Sequence, residues 1–419
     1  MNDPLQALRE PATIRQRCAA ITQAVGDERS ARWRIDRSRL PAAAERVATL
    51  TLQRFPDLQI PLHSRWRHFE AGGVDRKAEL DAALAGRSGA EMARARFDLT
   101  VLSVLLDAGA GAAWRYRENE PAPEAGAGAG AARSYERSEG LAIASLRAFM
   151  AGRFSAHPGD ALRVDAAALL ALDADTLRAV FQVGASNPLV GLDGRVALLN
   201  RLGGALQHEA ARDGLEARPA LLYDRLLQRG GSVAAADVLG EVLRSLAHAW
   251  RSGSIVKGVQ AGDIWPHRFA GGATDHGQDT TTAGWVPFHK LSQWLSYSLL
   301  EPLQWAGVNV GGVDALTALP EYRNGGLLID CGVIRPRHER DLARVWSVAD
   351  EFIIEWRALT VTLIDELALQ VRTRLGRGAA ELPLGCILEG GTWAAGRQIA
   401  AELRDGSPPL RIDSDGTIF

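Results

Sequence analysis

Residues 91–107 read EMARARFDLTVLSVLLD, and this stretch is the clearest indication of the fold class. Its apolar side chains recur every three or four residues, so that Ala95, Leu99, Leu102 and Leu106 share one face. This spacing is typical of an α-helix packed against a core. The stretch therefore predicts a helical protein.

The same pattern extends along the chain. Residues 337–375 contain no proline or glycine between Pro336 and Gly376, which favours one long helix. Asp173 and Asp175 precede an apolar stretch, as expected at a helix start. We predict a mainly α fold with a few short strands.

Two segments interrupt the helical pattern without dividing the chain. Residues 119–133 contain PAPEAGAGAGAA and predict a flexible loop, since no GK[ST] follows to make a phosphate-binding loop. Residues 271–284 are long enough to form a lid. The tail predicts a hairpin that turns at Asp415 and Gly416. We find no repeat or linker, so residues 1–419 are expected to form a single compact helical domain.

The charge balance gives no reason to expect a polyanionic partner. The chain has 48 basic and 50 acidic residues, a net charge of −2, whereas proteins that bind nucleic acid or anionic membranes usually carry a basic surface. No apolar segment is long enough for a membrane span, and the first residues lack the apolar core of a signal peptide. We expect a cytoplasmic protein with a small-molecule ligand and leave a homodimer open.

The metal-binding side chains show no ligand pattern. Cys18, Cys331 and Cys386 are far apart, and the nine histidines form neither HxH nor HExxH. His63 and His68 are five residues apart, a poor spacing for chelation on a helix. We therefore expect no metal and no cofactor.

Residues 61–70, PLHSRWRHFE, are the first of four segments rich in polar and aromatic side chains. Two arginines and two histidines alternate with aromatic residues, which suits an anion or a planar group. The alternative is a solvated connection anchored in the core by Trp66 and Phe69. The candidate ligand-binding residues here are His63, Arg65 and His68.

Residues 285–297, WVPFHKLSQWLSY, form the second segment. As a helix, it places Lys290, Trp294 and Tyr297 on one face. A lysine ammonium beside aromatic rings suits a terminal phosphate, although a surface lysine lying over aromatic rings is the alternative.

The third and fourth segments carry charged residues in apolar surroundings. Residues 316–330, LTALPEYRNGGLLID, offer Glu321 and Asp330 as two carboxylates flanking a turn, whose glycines would let the backbone approach a ligand. An ordinary surface pair of Glu321 with its neighbouring arginine is the alternative. In residues 350–360, Glu355 and Arg357 are two residues apart, so they cannot pair with each other and need partners from elsewhere in the chain. Such buried charges either organise a site or, as we favour, stabilise the core.

Five segments of the sequence resemble the uracil-catabolism protein family of fungi and bacteria (the Urc/Urg group). The resemblance covers nearly the whole chain. It is carried by HSRWRHFEAGGVDR (63–76), FDLTVLSVLLDAGAG (97–111), VPFHKLSQWLSYSLLEPLQWAG (286–307), LPEYRNGGLLID (319–330) and LEGGTWAAGR (388–397). It implies a part in a route that opens the uracil ring and finally yields urea.

A more distant resemblance concerns chemistry. FHKLSQ (288–293) and LPEYR (319–323) are similar to FYKRAQ and FADYR of the queuosine-salvage nucleotide glycosylases, helical proteins related in architecture to DNA glycosylases. The resemblance places Glu321 at that family's catalytic aspartate and Lys290 at its helix lysine. Glutamate in place of aspartate, and Ala394 in place of an aspartate, make queuine an unsuitable base for this chain.

Together the two resemblances imply hydrolysis of the N-glycosidic bond of a ring-opened uridine derivative, ribosylurea or its 5′-phosphate. Glu321 would activate water or stabilise positive charge at C1′, Lys290 would bind phosphate, and Arg323 with Asp330 would position the ribose. Further candidate contacts are Asp263, His289, Tyr322, Glu355, Arg357 and, walling the base pocket, Trp66, Trp294 or Trp393. The alternatives are an amide or ureido hydrolase, and a non-catalytic protein that binds a pathway intermediate.

Overall fold

The computed structural model describes residues 5–107, 109–118, 133–228, 230–250, 254–271 and 282–413. Helices dominate these residues, which confirms the predicted mainly α fold. The α-helices are α1 (Pro11–Gly26), α2 (Leu40–Arg54), α3 (Arg65–Phe69), α4 (Arg76–Ala83), α5 (Gly89–Leu105), α6 (Arg137–Met150), α7 (Ala166–Leu170), α8 (Ala174–Val180), α9 (Leu192–Asp213), α10 (Leu221–Leu227), α11 (Ala235–Ser245), α12 (Lys290–Trp305), α13 (Tyr322–Asp330), α14 (Glu351–Leu375), α15 (Leu384–Ile387) and α16 (Trp393–Arg404).

The strands are short, as predicted, and pair in twos over the described part of the chain. Antiparallel pairs are β1 (Trp33–Ile35) with β10 (Ile334–Pro336), β2 (Arg115–Glu118) with β3 (Arg133–Glu136), β5 (Ile255–Val256) with β6 (Val259–Gln260), and β7 (Ile264–Pro266) with β8 (Trp285–Pro287). Parallel pairs are β4 (Ser232–Ala234) with β9 (Asn309–Gly311), and β11 (Val345–Ser347) with β12 (Arg411–Asp413).

Three helices are buried over most of their length and form the core. Helix α14 packs against α1, α2 and α13, while α12 packs against α5 and α11. Helices α5, α12 and α14 have few exposed positions, as expected for helices that are apolar nearly all round. The candidate site lies at the C-terminal end of α5 and the N-terminal ends of α12 and α13. Its residues are therefore attached to rigid helices.

Glycines allow α13 to pack closely on its neighbours. A Cβ atom on Gly325 would lie 2.4 Å from the Trp356 ring of α14, and one on Gly396 of α16 would lie 2.2 Å from the Arg323 carbonyl oxygen. Such contacts are far inside van der Waals distance. The predicted role of the glycine pair in approaching a ligand is therefore wrong for Gly325, whose missing side chain admits another helix.

We expect Gly325→Ala to lower the free energy of unfolding by about 1–3 kcal/mol, because the methyl group must displace a buried tryptophan. Chemical denaturation measures the change. Gly204→Ala is the matched control, since Gly204 lies in α9 and no atom of the described residues comes within 4 Å of the place its methyl group would take. This control should be neutral or stabilising by up to about 1 kcal/mol. Equal stability of Gly325→Ala and the wild type would contradict the close packing of α13.

Two predicted helices need correction. The helix expected over 337–375 begins only at Glu351, because Asp350 accepts a hydrogen bond from the Ser347 N–H (2.8 Å) and residues before it pair as β11. The helix expected over 285–297 begins at Lys290, after β8.

In the tail, strand β12 pairs in parallel with β11. The hairpin turn at residues 415–416, most of the predicted flexible loop and most of the predicted lid lie outside the described residues. The likeness to glycosylase architecture stays a prediction.

Candidate active site

Glu321 is buried and its carboxylate caps helix α13. Its two side-chain oxygens accept hydrogen bonds from the backbone N–H groups of Arg323 and Asn324, each at 2.7 Å. Burial raises the pKa of Glu321, while these two N–H groups and the positive charge of Lys290 act to lower it. Carboxylates are favoured at a helix N-terminus because they complement its unpaired N–H groups. The cap holds the carboxylate in a fixed position inside the protein.

Lys290 begins helix α12 and lies close to two carboxylates. Burial lowers its pKa, and the negative charges of Glu321 and Asp107 act in the opposite direction. Its backbone N–H donates to Asp263 Oδ2 at 3.0 Å, which fixes the start of the helix. The amine and the Glu321 carboxylate, predicted from separate segments to share a site, are thus electrostatic neighbours.

Arg323 brings a buried guanidinium to the same place. It is 3% exposed, and its Nε and Nη1 atoms have no hydrogen-bond partner within the described protein. Its Cζ lies 4.7 Å from the centre of the Tyr322 ring and 5.8 Å from that of Trp393. Buried polar groups are nearly always hydrogen-bonded, so these two donors are available to a bound ligand.

Helix α3 contributes a second group of side chains. The fully buried Arg65 donates from Nε to Ser103 Oγ (2.7 Å) and from Nη1 to the Ser138 carbonyl (3.2 Å). Its guanidinium lies 5.6 Å from the Trp294 ring, which in turn meets the His68 ring edge-on at 5.7 Å. Within the described residues, Arg65 Nη2, His68 Nδ1 and Trp294 Nε1 are buried without a protein partner. Burial, reinforced by the charge of Arg65, lowers the pKa of His68 to about 4.

Asp107 joins the two groups, and sequence reasoning did not select it. Its Oδ1 lies 3.3 Å from Arg65 Nη1, and its charge acts to raise the pKa values of Lys290, His68 and Arg195. The available signal was its position directly after the apolar helix α5, in one of the strings that carry the family resemblance. We call the connected set the central polar cluster. It consists of Arg65, His68, Asp107, Lys290, Trp294, Glu321 and Arg323.

His63 and Glu389 form a hydrogen-bonded pair beside this cluster. His63 Nδ1 lies 2.8 Å from Glu389 Oε2, and its ring centre lies 6.0 Å from that of Trp393. Burial acts to raise the pKa of Glu389, but the hydrogen bond from His63 and the charges of His63 and Arg54 lower it to about 2. The predicted contacts His63 and Trp393 therefore lie next to the cluster, since the Trp393 ring lies close to both His63 and the Arg323 guanidinium.

The His63–Glu389 pair predicts a pH-dependent contribution to stability. The folded pKa of Glu389 is about 2, below its ordinary 4.5, so the stabilisation is complete above about pH 4.5 and disappears as the pH falls towards 2. We expect Glu389→Gln to lower the free energy of unfolding by roughly 3 kcal/mol at most near pH 7 and by less at pH 3. Urea titrations at the two pH values measure this.

The matched control is Glu366→Gln, because Glu366 pairs with Arg37 on the surface, where both side chains are about a third exposed or more. Its effect should stay below about 1 kcal/mol at either pH. A Glu389→Gln penalty that is equal at pH 7 and pH 3 would contradict the depressed pKa.

Asp263, Glu355 and Arg357 are buried and take part in two separate groups of contacts. Arg357 donates to both oxygens of Asp263, each at 2.7 Å, and Glu355 Oε2 accepts from Ser30 Oγ at 2.5 Å. Glu355 Oε1 also lies 3.3 Å from His267 Nε2. Glu355 and Arg357 take partners from other segments, as predicted, and Asp263 fixes the start of α12 by accepting from the Lys290 N–H. The Arg357–Asp263 pair therefore positions Lys290.

His289 and Asp330 point elsewhere. His289 Nε2 donates to the Leu8 carbonyl at 3.0 Å, and burial lowers its pKa to about 4. Asp330 lies at the opposite end of α13 from Glu321, about 13.5 Å away along the helix axis at 1.5 Å per residue. Its carboxylate accepts from Arg404 Nη2 at 2.6 Å. Asp330 is therefore corrected from second catalytic carboxylate to partner of an arginine on α16.

Two further findings concern the described residues alone. They contain no group of three or more His, Cys, Asp or Glu side chains arranged to hold a metal ion. None of their helices combines the length and the apolar character that crossing a membrane requires.

Comparison with known proteins places the chain among related sequences. The profile of the family described as "Protein of unknown function (DUF1688)" matches residues 7–419. Protein urg3 of Schizosaccharomyces pombe is 37% identical over 417 residues, which cover 97% of this chain and 96% of that protein. Uracil catabolism protein 4 of Lachancea kluyveri is 36% identical over 388 residues, 86% of this chain and 85% of that protein. The chain therefore belongs to the DUF1688 family and is a homologue of these two fungal proteins, in agreement with the resemblance to uracil-catabolism proteins.

Proposed function

We propose that this protein is a cytoplasmic enzyme of uracil catabolism that hydrolyses the N-glycosidic bond of ribosylurea or its 5′-phosphate and releases urea. The name of the Lachancea kluyveri relative supports the pathway. The observation that carries the reaction is the buried Glu321 carboxylate, fixed by two N–H groups and close to Lys290 and Arg323.

A carboxylate in this position suits glycosidic cleavage. The bond between C1′ and nitrogen breaks through a transition state in which the sugar carries positive charge. A fixed negative charge in a site that excludes water stabilises that charge without having to reorganise. Glu321 meets both conditions, because it is 6% exposed and its oxygens are held by the helix N-terminus.

The charges of the cluster favour an anionic substrate. Lys290 lies beside Glu321 and Asp107, so its charge is compensated within the protein. Arg323 keeps two buried donors without a partner in the described protein, and Arg65 keeps one. Guanidinium groups bind phosphate through several donors at once. We therefore assign the 5′-phosphate to Arg323 in place of Lys290, and expect the phosphorylated substrate to be preferred.

The remaining unpaired groups suit a urea moiety. Trp294 Nε1 is a donor, and the unpaired Nδ1 of His68, neutral with a pKa of about 4, acts as a donor or an acceptor according to the tautomer. Urea is planar, with one carbonyl acceptor and several N–H donors, and it can lie against an aromatic ring. Together the two side chains provide the complementary hydrogen bonds that a leaving urea requires.

Product analysis tests the proposal. Purified protein is incubated with ribosylurea and with ribosylurea 5′-phosphate, and urea, ammonia and the sugar product are measured. We expect equal amounts of urea and ribose 5-phosphate with no ammonia. Ammonia release would replace the proposal with an amide or ureido hydrolase, and binding of both compounds without turnover would replace it with a non-catalytic partner.

A further inference from the structure

Arg195 holds the backbone carbonyls of Leu106 and Gly109, on either side of Asp107. Arg195, which is 2% exposed, donates from Nε to the Leu106 carbonyl at 3.0 Å and from Nη2 to the Gly109 carbonyl at 3.4 Å. Burial lowers the pKa of Arg195 to about 10. A buried guanidinium that fixes the backbone on both sides of one aspartate positions that carboxylate accurately.

The Asp107 carboxylate nevertheless keeps hydrogen-bonding capacity. Its side chain is 11% exposed, and its Oδ1 pairs with Arg65 Nη1 at 3.3 Å, which is long for a charge-assisted hydrogen bond. Arg65 also donates to Ser103 Oγ and to the Ser138 carbonyl, so it is shared among three acceptors. Both oxygens of Glu321, in contrast, accept backbone hydrogen bonds. Of the two carboxylates beside Lys290, Asp107 is therefore the one better able to accept a proton from water.

Building on the proposed function, we propose that Asp107 is the general base that activates the attacking water, the second carboxylate for which Asp330 is wrongly placed. As the water oxygen bonds to C1′, one of its protons passes to Asp107 Oδ1. The C1′–N bond breaks, its electron pair goes to the urea nitrogen, and Lys290 protonates that nitrogen. The proton on Asp107 then passes to the neutral Lys290 amine, which restores both groups.

Each group in this scheme has the required property. General bases act when they lie within hydrogen-bonding reach of the nucleophile and contribute about 10²–10⁴-fold in rate. Burial lowers the pKa of Lys290, which makes its ammonium a better acid, while the charges of Glu321 and Asp107 act in the opposite direction. Glu321 remains the residue that stabilises positive charge at C1′.

Asp107→Asn and Asp107→Ala test the assignment on the full chain with ribosylurea 5′-phosphate as substrate. We expect kcat to fall about 10²–10⁴-fold in both, with little change in the affinity for ribose 5-phosphate measured by calorimetry. Formate should restore part of the activity of Asp107→Ala, because it supplies a carboxylate in the space left by the side chain. A merely structural aspartate gives no such rescue.

Asp98→Asn is the matched control, because Asp98 lies in α5, the helix that Asp107 follows. Asp98 is fully buried and accepts from Arg218 Nε (2.9 Å), Val164 N (3.0 Å) and Ala220 N (2.8 Å), remote from the central polar cluster. It should lower the melting temperature and leave kcat of the folded fraction unchanged.

The two proposals fail in different ways. Absence of turnover by the wild type overturns the proposed function and the role of Asp107 with it. Normal wild-type turnover with kcat unchanged in Asp107→Asn, or with an inactive Asp107→Ala that formate does not restore, overturns the role of Asp107 alone. Should Asp107→Asn fail to fold, the formate result for Asp107→Ala decides.

Discussion

Glu321→Gln is expected to lower kcat for ribosylurea 5′-phosphate by about 10²–10⁴-fold while the protein still binds the substrate. The amide has nearly the shape of the carboxylate but no negative charge to stabilise a cationic C1′. In the wild type, the two oxygens of Glu321 accept one hydrogen bond each, from the N–H groups of Arg323 and Asn324. The amide of glutamine has a single oxygen, so it can accept only part of this hydrogen bonding. Steady-state kinetics and calorimetry measure the two effects separately.

Loss of a helix cap also affects stability, so a cap without a catalytic role provides the control. Asp173 caps α8 by accepting from the Thr176 N–H at 2.8 Å. Asp173→Ala should reduce the free energy of unfolding by about 1 kcal/mol and leave kcat unchanged. If Glu321→Gln keeps kcat within a few-fold of the wild type, Glu321 is a structural cap and the proposed mechanism is wrong.

Arg357→Met is expected to cause the largest loss of stability, about 3–5 kcal/mol, because it leaves the carboxylate of Asp263 buried without its cation. Arg357 is fully buried and bonds both oxygens of Asp263, and it also lies 4.1 Å over the Phe288 ring. Since Asp263 also accepts from the Lys290 N–H, the start of α12 should loosen as well. Chemical denaturation gives the change in the free energy of unfolding.

A double substitution distinguishes a lost pair from lost packing. Asp263→Leu combined with Arg357→Met removes both charges, and we expect it to recover part of the stability. The surface control is Arg37→Met, whose pair with Glu366 is exposed and should contribute less than about 1 kcal/mol. If Arg357→Met lowers the free energy of unfolding no more than Arg37→Met does, the buried Arg357–Asp263 pair does not stabilise the fold.

The helical class followed from the sequence because the apolar spacing is a local signal. The apolar stretch 91–107 indeed becomes α5, and Asp173 caps a helix as expected. The helix predicted from residue 337 begins only at Glu351, because residues before it form a parallel strand pair with a segment 66 positions away, Val345 with Arg411. Such long-range pairing leaves no local trace in composition.

The candidate site followed from the sequence only in part. Lys290 and Glu321 were chosen by residue type and by family resemblance, and they are neighbours in the fold. Asp330 was chosen because it is near Glu321 in sequence, but a nine-residue helix separates the two carboxylates. Asp107 was missed because its partners come from distant segments, and a single aspartate after an apolar helix is usually a solvated helix end.

The α-secondary isotope effect for deuterium at C1′ of ribosylurea 5′-phosphate tests the central claim most directly. It reports whether C1′ gains positive charge as the bond breaks, and the Glu321→Gln enzyme, in which chemistry is slowest, gives the clearest value. The account predicts a rate clearly faster with hydrogen than with deuterium at C1′. Equal rates for the two isotopes in both the wild type and Glu321→Gln would contradict it, because cleavage at the urea carbonyl leaves C1′ unchanged.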